Sequence, residues 1–406
     1  MIVATNPLIV AGLLFAPIGV IAPKGLAPLL FVVAIWQLLL DMRARRLREI
    51  FDTRVAWLLT ALALWSLMTV SWAPDPELSI VSAAKIAAAF FAGLVMLAAA
   101  RRLEPTAREW LGVALIAGFA VAALALALEV AAGYPATQAW YAYQERTDEF
   151  RAAALNRAVI LIFLASWLAA VEFRRRGRAW LGWVAIIAAA FIVFGADGNS
   201  AKVAALIAVP LAAIAWWLGN RTHVVIAAIA VLGVTIAPML PLNLLAPDRY
   251  AKVIPEAYYS ALHRLHIWRF SAERIIDKPA LGWGLDASRD LPGGDERLPE
   301  GGVVMSMHPH NGTLQVWLEL GVIGAGLLAV VVAVSLLAQC QIRDRFDAAA
   351  TLGASVVVLV IANLSFGIWQ TWWLCTFGLL AALVTAAVRP DAAAQPGRRQ
   401  AMPRQI

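Results

Sequence analysis

Long apolar stretches separated by short polar segments run through almost the whole chain. Proline and glycine mark several of the breaks, as in APKG at 22–25 and WAPDP at 72–76. Each apolar stretch is long enough for a helix that crosses a membrane. The predicted spans are 7–23, 26–41, 55–72, 79–100, 110–133, 153–172, 179–196, 202–219, 223–240, 314–339, 348–366 and 369–388. The pattern therefore predicts an all-α polytopic membrane protein with about twelve transmembrane helices.

The predicted organisation has four parts. Residues 1–240 hold the first nine helices, 241–313 form one large loop, 314–389 hold the last three helices, and 390–406 form a polar, disordered tail. A loop as long as 241–313 is more often functional than a simple connection.

The first half of this loop has helical spacing. In the stretch PEAYYSALHRLHIWRFSAERIID, the apolar positions recur at intervals typical of one helix face, at Leu262, Leu265, Trp268, Ile275 and Ile276. This spacing predicts an amphipathic helix over 255–277 that lies on the membrane surface or over a cavity. The second half is rich in glycine and proline and is predicted to be loop.

The amino-acid composition agrees with a membrane protein, and the positions of its charges argue against a nucleic-acid partner. The chain is 62% hydrophobic and contains 17 Trp. This is more apolar surface than the core of one soluble domain can bury, and Trp is common at membrane interfaces. The net charge of +7 reflects the orientation of the helices in the membrane. More than half of the 33 Lys and Arg fall in every second connection between predicted helices, that is, on one side of the membrane. These connections face the cytoplasm, as do both termini, so the charge meets anionic lipid and indicates no nucleic-acid partner. The first apolar run, which lacks a basic leader, is expected to be a retained helix, and the two cysteines are expected to form no disulfide.

Histidine is scarce, yet four of the five fall in the large loop, at His263, His266, His308 and His310. HxxH on a helix with HxH in a loop is one zinc-ligand arrangement, although no carboxylate or cysteine completes it, and no metal is expected. A second interpretation makes a neutral histidine a base near neutral pH. A third makes His310 a helix-entry residue, with Asn311 or Thr313 capping the next helix.

Basic residues on the same predicted face point to an anionic substrate. Lys202 stands near the outer end of a membrane helix, where a charge is costly and often functional, although it could instead reach the interface and pair with Asp197. Each arginine taken alone is equally compatible with solvent or a lipid headgroup. Together they predict an electropositive cavity for a lipid-linked diphosphate, lined by Arg151, Arg157, Lys202, Arg264, Arg269 and Arg289. Asp75 and Glu77 in SWAPDPELS are interpreted as a polar turn rather than a metal pair.

Several motifs together resemble the bacterial O-antigen ligase family. His310-Asn311, nine residues, Gly321, two residues and Gly324 are similar to its H-[NSQ]-x9-G-x-x-G signature, although Ala325 departs from the usual next residue. RLHIW at 264–268 and DKPALGWG at 277–284 resemble the arginine-led helix and P-x-x-G-x-G turn of the wider ligase and polymerase superfamily. NSAKVA at 199–204 and the SWAPDPELS stretch resemble two further elements of that superfamily.

The resemblance implies a GT-C-type glycosyltransferase of the Gram-negative inner membrane with a periplasmic active site. Such ligases move a glycan from undecaprenyl-diphosphate-linked O antigen to lipid A-core oligosaccharide, with inversion and without metal or cofactor. By resemblance, His310 is the essential histidine, Arg264 the arginine of the periplasmic helix and Lys202 the basic residue at the helix mouth. Arg289 is assigned to the diphosphate by its position alone. Supporting roles are expected for His308, Asn311, Arg151 and Arg157.

Two groups of alternatives stay open at the level of sequence. An O-antigen polymerase or a protein O-oligosaccharyltransferase would share the same chemistry and the histidine-bearing loop, but the presence of one large loop favours a ligase. A transporter of lipid-linked saccharides would also suit twelve spans. It should line a mid-membrane path with polar groups, and the chain offers few of these besides Glu129.

Overall fold

The computed structural model describes residues 6–143, 155–254, 259–298, 301–305 and 307–388. Within them the chain is helical, without a β-strand, which confirms the predicted all-α polytopic fold. The helices are α1 Pro7–Ile21, α2 Leu26–Arg43, α3 Arg54–Thr69, α4 Pro76–Arg101, α5 Pro105–Ala131, α6 Pro135–Tyr143, α7 Asn156–Arg175, α8 Ala179–Gly195, α9 Asn199–Leu218, α10 Asn220–Ile236, α11 Met239–Asn243, α12 Pro247–Tyr250, α13 Tyr259–Asp277, α14 Gly312–Ala338, α15 Arg345–Leu364 and α16 Thr371–Ala387.

The twelve predicted spans correspond one to one with α1–α5, α7–α10 and α14–α16. By length and composition, eight of the described helices qualify as membrane spans, and four apolar helices are shorter, namely α1, α8, α10 and α16. A 17-residue helix such as α8 is only about 25 Å long, slightly less than the apolar thickness of a bilayer. The tail at 390–406 lies outside the described residues.

Side-chain caps define where several of these helices begin. Asp75 Oδ1 accepts a hydrogen bond from Leu78 N at 2.9 Å, and Pro76 occupies the first helical position of α4. SWAPDPELS is thus a capped turn, as predicted. Asn311 Oδ1 accepts from Leu314 N at 3.0 Å at the start of α14, so Asn311 rather than Thr313 is the cap.

Small residues let the helices approach closely. One face of α9 is a stripe of buried alanines spaced three or four residues apart, and it packs against α15. Gly93 of α4 and Gly378 of α16 face each other, and a Cβ on Gly93 would lie 3.2 Å from the Gly378 Cα. Because lipid supplies little hydrophobic force between helices, such close van der Waals contact stabilises the bundle. Helix α7 is buried on all sides from Ala158 to Glu172 and forms its centre.

Polar contacts lie at the two ends of the bundle. At one end, the fully buried Glu172 carboxylate pairs with Arg175 at 2.7 Å and with Arg176 at 2.8 Å. We call this the arginine end. The starts of α4, α7, α9 and α14 lie at the other end, which we call the histidine end because His310 precedes α14.

The amphipathic helix of the large loop is α13, which packs against α14 and α11. Leu262, Leu265 and Ile275 are buried as predicted, and Trp268 is half-buried. Ile276, in contrast, is 54% exposed and lies outside the face that packs against the protein. The helix turns about 100° per residue, so Ile275 and Ile276 do not both face α14. Residues 255–258 lie outside the described part of the chain.

The surface helix α6 was not predicted. Its first turn is capped by Glu129, whose carboxylate accepts hydrogen bonds from Thr137 N at 2.7 Å and from Ala136 N at 3.1 Å. Glu129 therefore serves a local structural purpose at the end of α5.

Candidate active site

The glycines of two separate motifs meet in the structure. Helix α14 is interrupted at Gly321, whose φ of 64° and ψ of −164° are not helical. The carbonyls of Leu318 and Glu319 accept instead from Trp283 N and Gly284 N, both at 2.9 Å, and Val322 N donates to the Pro279 carbonyl at 2.9 Å. The loop thus satisfies the backbone groups that the kink releases.

Both surfaces of this junction require glycine. A Cβ on Gly321 would lie 2.3 Å from the Ala280 carbonyl oxygen, and one on Gly282 would lie 2.5 Å from the Glu319 carbonyl oxygen. Trp65 of α3 adds a third partner, since its indole N–H donates to the Leu320 carbonyl at 2.9 Å. The P-x-x-G-x-G turn and the G-x-x-G element are therefore one structural unit.

His310 lies directly before α14, with a left-handed backbone φ of 54°. Its Nδ1 is 2.8 Å from the Ser365 carbonyl oxygen. A carbonyl only accepts, so Nδ1 carries the hydrogen and the neutral ring keeps its lone pair on Nε2. No described residue forms a hydrogen bond with that Nε2. The geometry leaves a fixed tautomer with a free proton acceptor.

His308 supports His310 from the side. Its Nδ1 accepts from the His310 backbone N–H at 3.2 Å, and the two ring centroids lie 4.3 Å apart. Trp268 of α13 holds the intervening Pro309 through a 2.9 Å bond from its indole N–H to the Pro309 carbonyl. His308 is therefore in direct contact with His310, and its supporting role stays a prediction.

Burial and nearby positive charge keep both rings neutral. Burial lowers the pKa of His308 to about 4, with further lowering from the charges of His310, Arg289 and Arg264. Burial also lowers the pKa of His310, and Arg264 adds to this effect, while the bond to Ser365 opposes it. At neutral pH the two histidines are therefore uncharged, which is the form that accepts a proton.

Two predicted arginines lie close to the histidines. Arg264 of α13 is substantially buried, which lowers its pKa, and it makes no hydrogen bond or ion pair with any described residue. Arg289 is 40% exposed and is held by a 3.2 Å bond from its Nε to Asp286 Oδ1. This leaves the outer nitrogens of Arg289 without a described protein partner. Arg264 is thus a poorly solvated cation without a counter-ion among the described residues, which is costly unless an anionic ligand binds there.

The other predicted basic residues reach the histidine end without touching His310. Lys202 lies in the first turn of α9 and forms no ion pair with the described residues, Asp197 included. Ser200 donates to the Leu364 carbonyl at 2.7 Å, which brings this turn beside Ser365. Arg157 is exposed and lies over the rings of Phe366 and Trp372, at 5.9 Å from each. Arg151 lies outside the described residues.

The predicted histidine pairs do not combine into a metal centre. His263 Nε2 lies 2.7 Å from the Val303 carbonyl oxygen and donates to it. Among the described residues, no group of three His, Cys, Asp or Glu side chains is placed to hold a metal ion.

A buried polar cluster that was not predicted from the sequence lies next to the segments that carry His310 and Arg289. It centres on Glu319 of α14, a fully buried residue, and includes Gln315 one turn earlier, Ser288 and Asp286 of the loop and Trp369. The available signal was a glutamine and a glutamate four residues apart in an otherwise apolar run.

Comparison with known proteins gives one matching family model and several similar bacterial proteins. The family model described as O-antigen ligase matches residues 184–329, which include Lys202, Arg264, His310 and Gly321. A protein of Rickettsia conorii is 35% identical over 136 residues, which are 32% of this chain and 33% of that protein. A protein of Rickettsia felis is 26% identical over 241 residues, 58% of this chain and 59% of that protein. Both bear the name "Putative polysaccharide ligase". The matched regions thus span between about a third and three-fifths of these relatives.

Proposed function

We propose that this chain is a member of the O-antigen ligase family, whose model matches residues 184–329, and that it transfers a glycan from undecaprenyl diphosphate to the lipid A-core oligosaccharide of lipopolysaccharide. The histidine end then faces the periplasm, and both termini face the cytoplasm of a Gram-negative cell. The basic connections at the arginine end support this orientation, since positive loops remain on the cytoplasmic side. The apolar helices hold the polyprenyl chain of the donor in the bilayer.

The observation that carries the proposal is that His310 Nε2 has no hydrogen-bond partner among the described residues while the charge of Arg264, which has no counter-ion among them, acts on the same ring. A hydroxyl of the acceptor sugar gives its proton to His310 Nε2 while its oxygen attacks the anomeric carbon. The bond from that carbon to the diphosphate breaks, and the configuration at the carbon inverts. The bond from Nδ1 to Ser365 stabilises the imidazolium that forms, since both nitrogens of a charged ring donate.

The leaving diphosphate gains negative charge as the glycosidic bond breaks. The charges of Arg264 and Arg289 both act on His308, and we assign these arginines to the phosphates, with Lys202 as a third partner from α9. Arginine matches phosphate with two parallel hydrogen bonds, whereas lysine offers a point charge. In this proposal the three side chains neutralise the leaving group, and no metal ion is required.

The test is transfer by the purified protein in liposomes that contain lipid-linked glycan and lipid A-core. We expect His310→Ala to abolish transfer. His223→Ala is the matched control, because His223 is also buried and also bonds a backbone carbonyl, that of Ala348 at 3.2 Å, but it lies at the arginine end. Full transfer by His310→Ala would refute the catalytic role.

A deletion strain separates the proposed ligase from the related activities. Loss of the lipopolysaccharide ladder, with accumulation of lipid-linked polymer, supports a ligase. A band with a single repeat indicates a polymerase, and loss of a glycoprotein with normal lipopolysaccharide indicates protein glycosylation. Liposomes that translocate the donor without forming product would indicate a transporter.

A further inference from the structure

Four hydrogen-bond donors converge on one carboxylate within α14. Glu319 Oε2 accepts from Asp286 N at 2.8 Å and from the Trp369 indole N–H at 2.6 Å. Oε1 accepts from Ser288 Oγ at 2.5 Å and from Gln315 Nε2 at 3.0 Å. Gln315 Oε1 in turn accepts from Ile368 N at 3.0 Å, which fixes the orientation of its amide. In all four of these hydrogen bonds the carboxylate is therefore the acceptor.

Three of these four donors come from the two segments that carry the chemistry, and the fourth, Gln315, belongs to α14 itself. Asp286 and Ser288 belong to the loop that bears Arg289, and Asp286 also holds the Arg289 Nε. Trp369 belongs to the connection between α15 and α16, whose Ser365 carbonyl fixes the tautomer of His310. Gln315 binds the same connection at Ile368. Glu319 touches none of the reacting groups, yet it joins the arginine segment to the histidine segment.

We propose that Glu319 is a positioning residue that sets the separation between the proton acceptor His310 and the diphosphate-binding Arg289. This inference rests on the proposed function and deepens it. The glycosyl group must lie between a base on one side and a cationic site on the other, so the distance between these groups decides whether attack is in line. One carboxylate bonded to both segments holds that distance.

The chemistry of the cluster requires a carboxylate of this length. An ionised carboxylate has acceptor sites for all four donors, whereas an amide would direct its own N–H groups at two of them. Glu319→Gln keeps the volume but breaks at least one connection between the segments. Glu319→Asp keeps both acceptor oxygens, but its side chain is shorter by one methylene group, which moves these oxygens away from the donors. Because burial excludes water, the donors that lose their partner have no substitute.

The experiment compares Glu319→Gln and Glu319→Asp with Glu172→Gln in the liposome transfer assay. Glu172 is the matched control, because it is also a fully buried glutamate with several hydrogen bonds, but it pairs with Arg175 and Arg176 at the arginine end. We expect Glu319→Gln to lower kcat/KM about 100-fold, the scale of a 1 Å misplacement of reacting groups, while it unfolds no earlier than Glu172→Gln. Glu319→Asp should recover part of this loss.

Two further readouts separate positioning from a general loss of stability. The acid limb of the kcat/KM profile should move in Glu319→Gln, since the connection that holds His310 Nδ1 has lost an anchor, and it should stay in place in Glu172→Gln. In an Arg289→Ala background, Glu319→Gln should raise the donor KM less than it does in the wild type, because part of its effect acts through Arg289.

The outcomes distinguish this inference from the proposed function. If the wild type transfers glycan and Glu319→Gln keeps full activity and an unchanged pH profile, the positioning role is wrong and the ligase assignment stands. If Glu319→Gln loses activity only in proportion to its lower thermal stability, as Glu172→Gln does, the positioning role is also wrong. If the wild type transfers no glycan to any acceptor, both proposals are overturned.

Discussion

Replacement of Gly321 by alanine tests whether the junction between α14 and the P-x-x-G-x-G turn organises the active site. The φ and ψ of Gly321 lie in a region that is almost restricted to glycine, and an added Cβ would lie 2.3 Å from the Ala280 carbonyl oxygen. Relief of this clash requires the turn to move away from the helix, or α14 to straighten.

The expected magnitude follows from these two effects. The backbone strain alone costs about 1–3 kcal/mol. The three backbone hydrogen bonds between the turn and the kink contribute about 0.5–1.5 kcal/mol each and are lost if the turn moves. We therefore expect Gly321→Ala to lower the free energy of unfolding by about 3–7 kcal/mol, or to displace Arg289 and Glu319 from the site.

Gly326→Ala, five residues later in the same helix, is the matched control. A Cβ there meets nothing within 4 Å, and alanine favours a helix over glycine by about 1 kcal/mol. Thermal unfolding in detergent and glycan transfer in liposomes are measured for both variants. We expect Gly326→Ala to match or exceed the wild type in both. If Gly321→Ala is as stable and as active as Gly326→Ala, the junction does not organise the site.

Three further predictions concern the charged groups of the site. The unfolded His308 takes up a proton near pH 6.5 but the folded one only near its pKa of about 4, so up to about 3 kcal/mol of stability is lost as the pH falls through this interval. We expect the unfolding temperature of His308→Gln to decrease less between pH 7 and 5 than that of the wild type. An equal decrease in both proteins would contradict the lowered pKa of His308. Arg264→Ala should raise the KM for the lipid-linked donor at least tenfold. Arg264→Lys should recover part of this loss, because the ammonium restores the charge but not the paired hydrogen bonds. Equal KM values in the wild type and both variants would show that Arg264 does not belong to the diphosphate site. Transfer should persist in the presence of a metal chelator, because side chains neutralise the leaving group in the proposed mechanism, and a loss restored by a divalent cation would overturn that feature.

The helices of this protein follow from local patterns. Hydropathy and the short polar breaks predicted every apolar helix, because a segment in lipid must satisfy its backbone hydrogen bonds internally. The sequence left Asn311 and Thr313 open as the cap of α14, and it identified a polar turn before α4 without identifying Asp75 as the cap of that helix. The grouping of His310, Arg264 and Gly321 as related elements depended on motif spacing, and the family match over residues 184–329 agrees with it.

The arrangement of the site was decided by contacts between residues far apart in the chain. Nothing near Gly321 indicates that its neighbours bond to the turn at 279–284, and nothing near His310 indicates that its tautomer is set by Ser365, 55 residues later. Glu319 stood in the sequence as a single acid in a membrane helix. Only the tertiary structure shows which donors surround it, because those donors come from three segments that meet after the helices have packed. The sequence by itself therefore determined the helices, their ends and the family motifs, while the folded chain determined which polar groups share the buried space between them.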